Sequence, residues 1–230
     1  MAGVSPFFGR AQVVVIDNFD EYNNATYIQA QNTAWSRSGA ATADGIYSIA
    51  GGQTGRGASY SANWGGGNLG RVRYTFASAQ SYESGTVFTV DLAVTVSSGG
   101  TAPAADTLVS AQIANGDPND AATSIWVTAG QALTSGSYTT FSFLFDGATT
   151  SSVQGTASLA DVLSSVTSIT LQFANNSGAG RQTITFDNLA VTPGSGPTIP
   201  EASTTALLLA GIAGTMTACR MGGRFRRKTC

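Results

Sequence analysis

The sequence contains no histidine and a single lysine, and charged residues make up only 10% of its 230 residues. Its two cysteines, Cys219 and Cys230, both stand near the C-terminus, so the rest of the chain has neither a disulfide nor thiol chemistry. Serine–histidine–aspartate and cysteine–histidine catalytic arrangements are excluded within this chain, as are zinc sites built from those side chains. The stability of the body must therefore come from core packing, alone or together with a hard cation.

The body of the chain is acidic. Residues 1–198 hold twelve acidic residues against six arginines, which gives a net charge near −6. Such a surface repels polyanions, so nucleic acid is not expected as a partner. Low charge, with heavy use of Ser, Thr, Gly, Ala and Asn, is typical of an exported all-β protein.

The apolar pattern of the body is that of β-strands. Segments rich in Val, Ile, Thr, Phe and Tyr are separated by Gly, Ser, Asn and Asp clusters, and strands are predicted at 13–19, 71–76, 86–96, 107–114, 123–128, 138–145, 166–173 and 183–191. One short helix is predicted at 158–163, where Ser158 and Asp161 form a capping box. Without βαβ alternation, this order predicts an antiparallel jelly-roll β-sandwich over residues 12–192, followed by a flexible linker at 193–198.

The last predicted strand changes phase in its middle. Ile184 and Phe186 are apolar at even positions, whereas Leu189 and Val191 are apolar at odd positions. A β-bulge at Asp187 would return both pairs to the same face of the sheet.

Two short motifs carry a resemblance. The body opens with Asp-Asn-Phe at 17–19, has a short helix before a late strand, and closes with Phe-Asp-Asn-Leu at 186–189. In these features it resembles jelly-roll carbohydrate-binding modules of the galactose-binding-like type. The resemblance implies a structural calcium between the first and last strands, with Asp187 and either Asp17 or Asp20 as carboxylate ligands. The alternative is that these carboxylates accept hydrogen bonds from backbone amides.

Aromatic residues are interleaved with Gly, Asn and Ser between residues 22 and 70. Aromatic faces beside short polar side chains suit sugar rings, which offer an apolar face and peripheral hydroxyls. Trp35, Tyr60 and Trp64 are the candidates for such contacts. The alternative is that rings in this stretch belong to the sandwich core.

The C-terminal tail has three parts. Pro200 and Glu201 are followed by a stretch, 203–221, whose one charged residue is Arg220. As a helix, its nineteen residues would extend about 28 Å, the thickness of a bilayer's hydrocarbon core. A single transmembrane helix is predicted there. The basic cluster that stops transfer is Arg220, Arg224, Arg226, Arg227 and Lys228.

This tail resembles the PEP-CTERM sorting signal over residues 199–228. Pro200 and Glu201 occupy the first two positions of its Pro-Glu-Pro motif, and Ala202 stands in the third. The resemblance implies processing by an exosortase, a membrane cysteine transpeptidase. Clustered cations beside a span stay cytoplasmic, so the body is expected outside, first anchored and then at the cell surface or in the extracellular matrix.

The N-terminus fits the same route. Residues 1–11 end in Gly9 and Ala11, the small-x-small pattern that closes a signal peptide, and they are interpreted as the remnant of one. The alternative is an unprocessed N-terminal segment.

Three functions follow in order of preference. The first is a non-enzymatic surface or matrix protein, and the second is a carbohydrate-binding module that contacts exopolysaccharide. The third is a glycosidase with a carboxylate pair, for which the sequence offers Asp44, Glu83, Asp91 and Asp146 without selecting two of them. No catalytic residue is therefore assigned, and the only cofactor considered is the structural calcium.

Overall fold

The structure is a computed structural model that describes residues 12–39, 45–64, 69–96, 107–133, 136–175 and 180–194, with the side chains of residues 63, 64 and 96 excepted. All of these residues belong to one of the two units into which the chain divides, Met1–Ser195. The second unit, Gly196–Cys230, lies outside the described residues.

The described residues form strands joined by short turns, with two short helices. The strands are β1 (Val14–Asp17), β2 (Trp35–Gly39), β3 (Ile46–Ile49), β4 (Gly57–Trp64), β5 (Leu69–Gln80), β6 (Thr86–Val96), β7 (Thr107–Ala114), β8 (Ile125–Thr128), β9 (Gln131–Ala132), β10 (Thr139–Phe145), β11 (Thr150–Gln154), β12 (Val166–Asn175) and β13 (Gly180–Thr192). The helices are α1 (Ile28–Gln31) and α2 (Leu159–Leu163).

The strands build two antiparallel sheets. A six-stranded sheet has the order β10-β6-β13-β4-β3, with β1 beside β13, and a seven-stranded sheet has the order β11-β8-β7-β12-β5-β2, with β9 beside β7. The two sheets form a sandwich. The predicted all-β fold is confirmed.

The core lies between the two sheets because apolar side chains alternate along the strands of each. Phe88, Phe143 and Phe186 of the six-stranded sheet are fully buried, as is Phe173 of the seven-stranded sheet. Tyr60 reaches across and stacks on Phe173, with ring centroids 6.1 Å apart. A Cβ at Gly70 would lie 2.7 Å from Tyr60 Oη, so glycine at 70 makes room for that ring.

The predicted phase change in the last strand is confirmed. The register of β13 against β6 shifts between Asp187 and Ala190. Asn188 within this bulge adopts a left-handed backbone with φ of +51°. Phe186 and Leu189 are both buried as a result.

The sequence pattern missed five strands: β2, β3, β4, β9 and β11. The first three lie in the stretch between residues 22 and 70, where Gly, Ser and Asn lower strand propensity and the aromatic rings suggested a binding surface. The last two are short and solvent-facing. The predicted helix is confirmed, with Ser158 as its N-cap and Asp161 completing the capping box.

The sorting signal at 199–228, its predicted helix at 203–221 and the segment 1–11 all lie outside the described residues. Within the described ranges, no helix has the length and hydropathy needed to span a bilayer.

Candidate functional site

Asp17, at the end of β1, is surrounded by hydrogen-bond donors. Its Oδ2 accepts hydrogen bonds from Tyr22 Oη at 2.5 Å and from Trp35 Nε1 at 2.8 Å, and its Oδ1 accepts one from the Phe19 amide at 2.8 Å. Burial, reinforced by the bond to Asp17, raises the pKa of Tyr22, so its phenol stays protonated and donates. The hydrogen bonds of Asp17 therefore link β1 to the segment that leads into β2.

Asp187 lies in the bulge of β13 and is fully buried. Its Oδ2 accepts a hydrogen bond from the Thr54 amide at 3.1 Å, and its Oδ1 accepts one from the Asn188 amide at 2.8 Å. Burial raises the pKa of Asp187, whereas the amides of Thr54, Asn188 and Gln53 act in the opposite direction. The carboxylate holds the 50–56 loop, which connects β3 to β4, against the last strand.

Asp20 binds the same loop from another direction. Its Oδ1 accepts a hydrogen bond from the Arg56 amide at 2.8 Å. A Cβ at Gly55, whose φ is +70°, would lie 2.2 Å from that oxygen. The charge of Asp20 also contributes to the raised pKa of Asp187, so the two carboxylates are electrostatic neighbours.

The donor chemistry around these carboxylates bears on the predicted calcium. Calcium takes six to eight oxygen ligands, whereas hydrogen-bond donors point at both oxygens of Asp17 and at both oxygens of Asp187. In the described part of the chain, no group of three or more His, Cys, Asp and Glu side chains could hold a metal ion. The amide donors of the alternative interpretation are in place at Asp187 and Asp20. Calcium at that pair stays a prediction, which chelation tests.

Two of the three predicted sugar-binding rings are core residues, and that prediction was wrong for them. Trp35 is 2% exposed and packs against Phe19, and Tyr60 is 1% exposed and stacks on Phe173. Large rings that alternate with small polar residues along a strand face the core. Trp64 lies in β4, and its side chain is outside the described residues.

Another ring in this stretch is accessible. Tyr47 of β3 is 37% exposed and packs edge-on against Tyr27, with ring centroids 5.5 Å apart. This pair sits at an edge of the six-stranded sheet. The Tyr27–Tyr47 edge is therefore a candidate surface for contact with a sugar.

The outer surface of the seven-stranded sheet carries a patch of polar side chains, here named the polar face. Its members point away from the core because they alternate with buried Val72, Ile113, Ile169 and Leu171. They come from the adjacent strands β5, β12 and β7, and are Arg71, Arg73, Ser110, Gln112, Ser168, Thr170 and Gln172.

Hydrogen bonds link these side chains across the strands. Arg71 Nε donates to Gln172 Oε1 at 3.0 Å, and Gln112 Nε2 donates to the same oxygen at 2.8 Å. Arg73 Nε donates to Thr170 Oγ1 at 3.3 Å. The long side chains are thus held in place before any ligand arrives.

The polar face also contains buried hydroxyls. Thr170 and Ser168 are 3% and 2% exposed, although they point to the outer side of the sheet. The Ser168 hydroxyl has no hydrogen-bond partner in the structure as described. A buried polar group without a partner costs free energy.

A carboxylate pair for glycoside hydrolysis is not evident in the described residues. Asp91 lies opposite Asp187 in the sheet, but its Oδ1 accepts a hydrogen bond from Thr140 and its Oδ2 accepts one from Asn188. Asp91 and Asp187 are both less than 10% exposed, and they lie beside the 50–56 loop. Asp146 accepts turn hydrogen bonds, chiefly from Thr149, which lower its pKa. Asp44 lies outside the described part.

Sequence reasoning missed the polar face. Arg71 and Arg73 were part of a predicted strand, but their partners Gln172 and Thr170 are 101 and 97 residues away along the chain, so only the sheet order brings them together. The alternation of Arg with Val and Tyr in β5 was the available signal.

No protein-family model matches the chain, and no curated protein matches it. Among solved structures it is similar to the family 11 carbohydrate-binding module of the cellulosomal cellulase Lic26A-Cel5E of Clostridium thermocellum, with a TM-score of 0.52 and 16% identity over 80% of this chain and 96% of that one. The likeness extends to that organism's family 11 module in complex with a β-1,3-1,4-mixed-linked tetrasaccharide, with a TM-score of 0.51, 16% identity, and coverage of 79% and 96%.

A further similar structure represents carbohydrate-binding modules of the β-sandwich superfamily, with a TM-score of 0.51 and 15% identity over 76% of this chain and 60% of that one. At such identities the likeness concerns the fold. This domain therefore has the two-sheet sandwich of carbohydrate-binding modules.

Proposed function

We propose that the sandwich domain is a non-enzymatic carbohydrate-binding module and that the polar face contacts the sugar. The observation that carries this proposal is the side-chain network of Arg71, Gln172 and Gln112. Its hydrogen bonds are already formed, without a ligand, on the outer side of the seven-stranded sheet. Sugar hydroxyls need donors and acceptors in fixed positions, and such preorganisation lowers the entropic cost of binding. An exopolysaccharide is the proposed ligand class.

The fold supports this proposal because the similar structures are carbohydrate-binding modules, one of them in complex with a mixed-linked tetrasaccharide. The acids also support it. The carboxylate oxygens of Asp91 and Asp187 accept hydrogen bonds from neighbouring residues. A glycosidase would instead need two carboxyl groups that face one another across an open cleft.

A first prediction tests the polar face with neutral and acidic polysaccharides in affinity gels. Gln172→Ala should weaken binding roughly 3- to 10-fold, because it removes the acceptor shared by Arg71 and Gln112 and releases both side chains. Gln80→Ala is the matched control, since Gln80 is at the far end of β5 and bonds only locally to Ser78.

Tyr47→Ala completes this experiment. If Tyr47→Ala abolishes binding while Gln172→Ala has no effect, the sugar binds at the Tyr27–Tyr47 edge and the polar face is not the site. Binding to no polysaccharide would reject the module itself.

We also propose that the domain is displayed outside the cell, sorted through the tail by an exosortase. The supporting observation is the order of Pro200 and Glu201, an apolar stretch and a basic cluster.

A second prediction concerns this route. In a bacterial host with a matching exosortase, Glu201→Ala should leave a folded protein that stays in the membrane fraction, because the recognition motif is lost while the span remains. Immunoblots of cell fractions measure this, with Glu83→Ala in an exposed turn of the domain as the control. Identical size and location for Glu201→Ala and the unmodified chain would show that the tail is a plain anchor.

A further inference from the structure

Positive charge is concentrated on the polar face. Arg71 and Arg73 alternate on β5 and so extend from the same side of the sheet. They are two of only six arginines in residues 1–198, against twelve acidic residues. The face is thus a local reversal of sign on an acidic domain.

The hydrogen bonds of these arginines go to neutral groups, and Asp117 is an acid whose charge acts on Arg73. The hydrogen bonds of both guanidinium groups within the described ranges go to neutral oxygens, Gln172 Oε1 and Thr170 Oγ1. Burial lowers the pKa of Arg73 and the like charge of Arg71 adds to this, whereas Asp117 opposes it. Two adjacent cations partly removed from water gain strongly when an anion arrives.

The anchoring of each Nε also prepares the site. A guanidinium group has five N–H donors, and its planar fork matches the two oxygens of a carboxylate or sulfate. Because Gln172 and Thr170 hold the Nε atoms, less side-chain freedom remains to be lost on binding. The unpartnered hydroxyl of Ser168 lies on the same face.

The outward positions of the described strands on this face include no aromatic ring: they are Ser, Arg, Thr, Gln, Ala, Leu, Ile and Val residues. Sugar stacking, which favours flat neutral glucans, has no platform there. Charge and hydrogen bonding are what the face offers instead.

We propose that the polar face binds an acidic polysaccharide, whose uronate carboxylates or sulfate esters dock between Arg71 and Arg73. This inference rests on the proposed sugar-binding function and adds the class of sugar. Release of counterions accompanies such contacts, so affinity should fall as salt rises.

The test uses the full-length chain in a nonionic detergent, with binding to polygalacturonate, dextran sulfate, neutral dextran and mixed-linked glucan measured by affinity electrophoresis or calorimetry. We expect an acidic polymer to bind, and the Arg71→Gln and Arg73→Gln variants each to bind it on the order of tenfold or more weakly. Arg181→Gln, the same charge change at an exposed position of the other sheet, should leave affinity within about twofold.

Arg71→Lys keeps the positive charge but loses the planar set of guanidinium N–H donors, so it should also weaken binding by several-fold. It serves as the second variant if Arg71→Gln does not fold, as judged by circular dichroism. The relative affinities for polygalacturonate and dextran sulfate identify which anionic group is recognised.

Other results would overturn the proposal. Equal binding of neutral and acidic polymers, unaffected by the arginine variants, rejects the acidic ligand and leaves the sugar-binding function standing. Binding of inorganic polyphosphate as tight as that of the acidic sugars shows attraction by charge alone. Absence of binding to every polymer rejects both proposals together.

Discussion

Phe186→Ala should lower the free energy of unfolding by about 3–5 kcal/mol, the range for deleting a buried aromatic ring. Phe186 is fully buried and lies edge-on to Phe19 at 5.3 Å and tilted against Trp35 at 5.8 Å, measured between ring centroids. Its loss removes the surface on which the 19–35 segment packs against the last strand. Urea unfolding followed by tryptophan fluorescence measures the change, because Trp35 reports on the same cluster.

Leu144→Ala is the control for this prediction. Leu144 is on a strand of the same sheet but is 36% exposed, so its removal should cost about 0.5 kcal/mol or less. If the two variants unfolded at the same urea concentration, the Phe19–Trp35–Phe186 cluster would not be part of the folded core.

Asp187→Ala should lower the free energy of unfolding by about 1–3 kcal/mol, because it removes the buried carboxylate that accepts hydrogen bonds from the partly buried amides of Thr54 and Asn188. The 50–56 loop should loosen with it. Hydrogen exchange at the Thr54 amide, compared with amides of β6, gives a local measurement beside the global melt.

Asp146→Ala is matched in chemistry to Asp187→Ala, since Asp146 also accepts backbone amides, those of Ala148 and Thr149, but in an exposed turn. It should melt almost as the unmodified protein does. Equal stability of Asp187→Ala and the unmodified protein would contradict both the hydrogen-bond and the calcium interpretations.

Calcium separates these two interpretations. With a bound ion, a chelator should lower the melting temperature and added Ca²⁺ should restore it by mass action, and Asp187→Ala should not respond. A melt that is indifferent to chelator leaves the hydrogen-bond interpretation alone.

The pH dependence gives a second separation. Because burial raises the pKa of Asp187 above its unfolded value of 3.8, its contribution to stability is fully present below that value and is lost as pH rises through the folded pKa. A bound cation would depress the pKa, and stability would instead be lost as pH falls. The difference in stability between the unmodified protein and Asp187→Asn, followed across this range, shows which sign applies.

Much of the sandwich was predictable because its central strands alternate in sequence. The predicted bounds 86–96 and 107–114 coincide with β6 and β7, and the bulge at Asp187 was visible as a change of phase. The large apolar residues of each strand recur at every second position, so the pattern records which face meets the core. Strands β2 to β4 were missed because Gly and Ser weaken the pattern and backbone pairing with longer neighbours stabilises them.

The candidate site was less predictable for a related reason. Asp17 and Asp187 were predicted as calcium ligands, with hydrogen bonds to backbone amides as the alternative, because the sequence could not distinguish an amide partner from a cation. Trp35 was misjudged because Trp35 Nε1 has a partly buried acceptor in Asp17, which lets a polar ring enter the core. The pairing of Arg71 with Gln172 depends on sheet order, which no local pattern records.

The central position of β13 has a consequence for the order of events in folding. This strand pairs with β6, β4 and β1, whose residues precede it by about 90 to 175 positions along the chain. Contacts so distant in sequence make folding slow, because the entropy of closing long loops is lost before the stabilising contacts form. The six-stranded sheet cannot close until its thirteen-residue last strand has been synthesised, so a growing chain stays open, and competent for threading through a narrow channel, until its final segment appears.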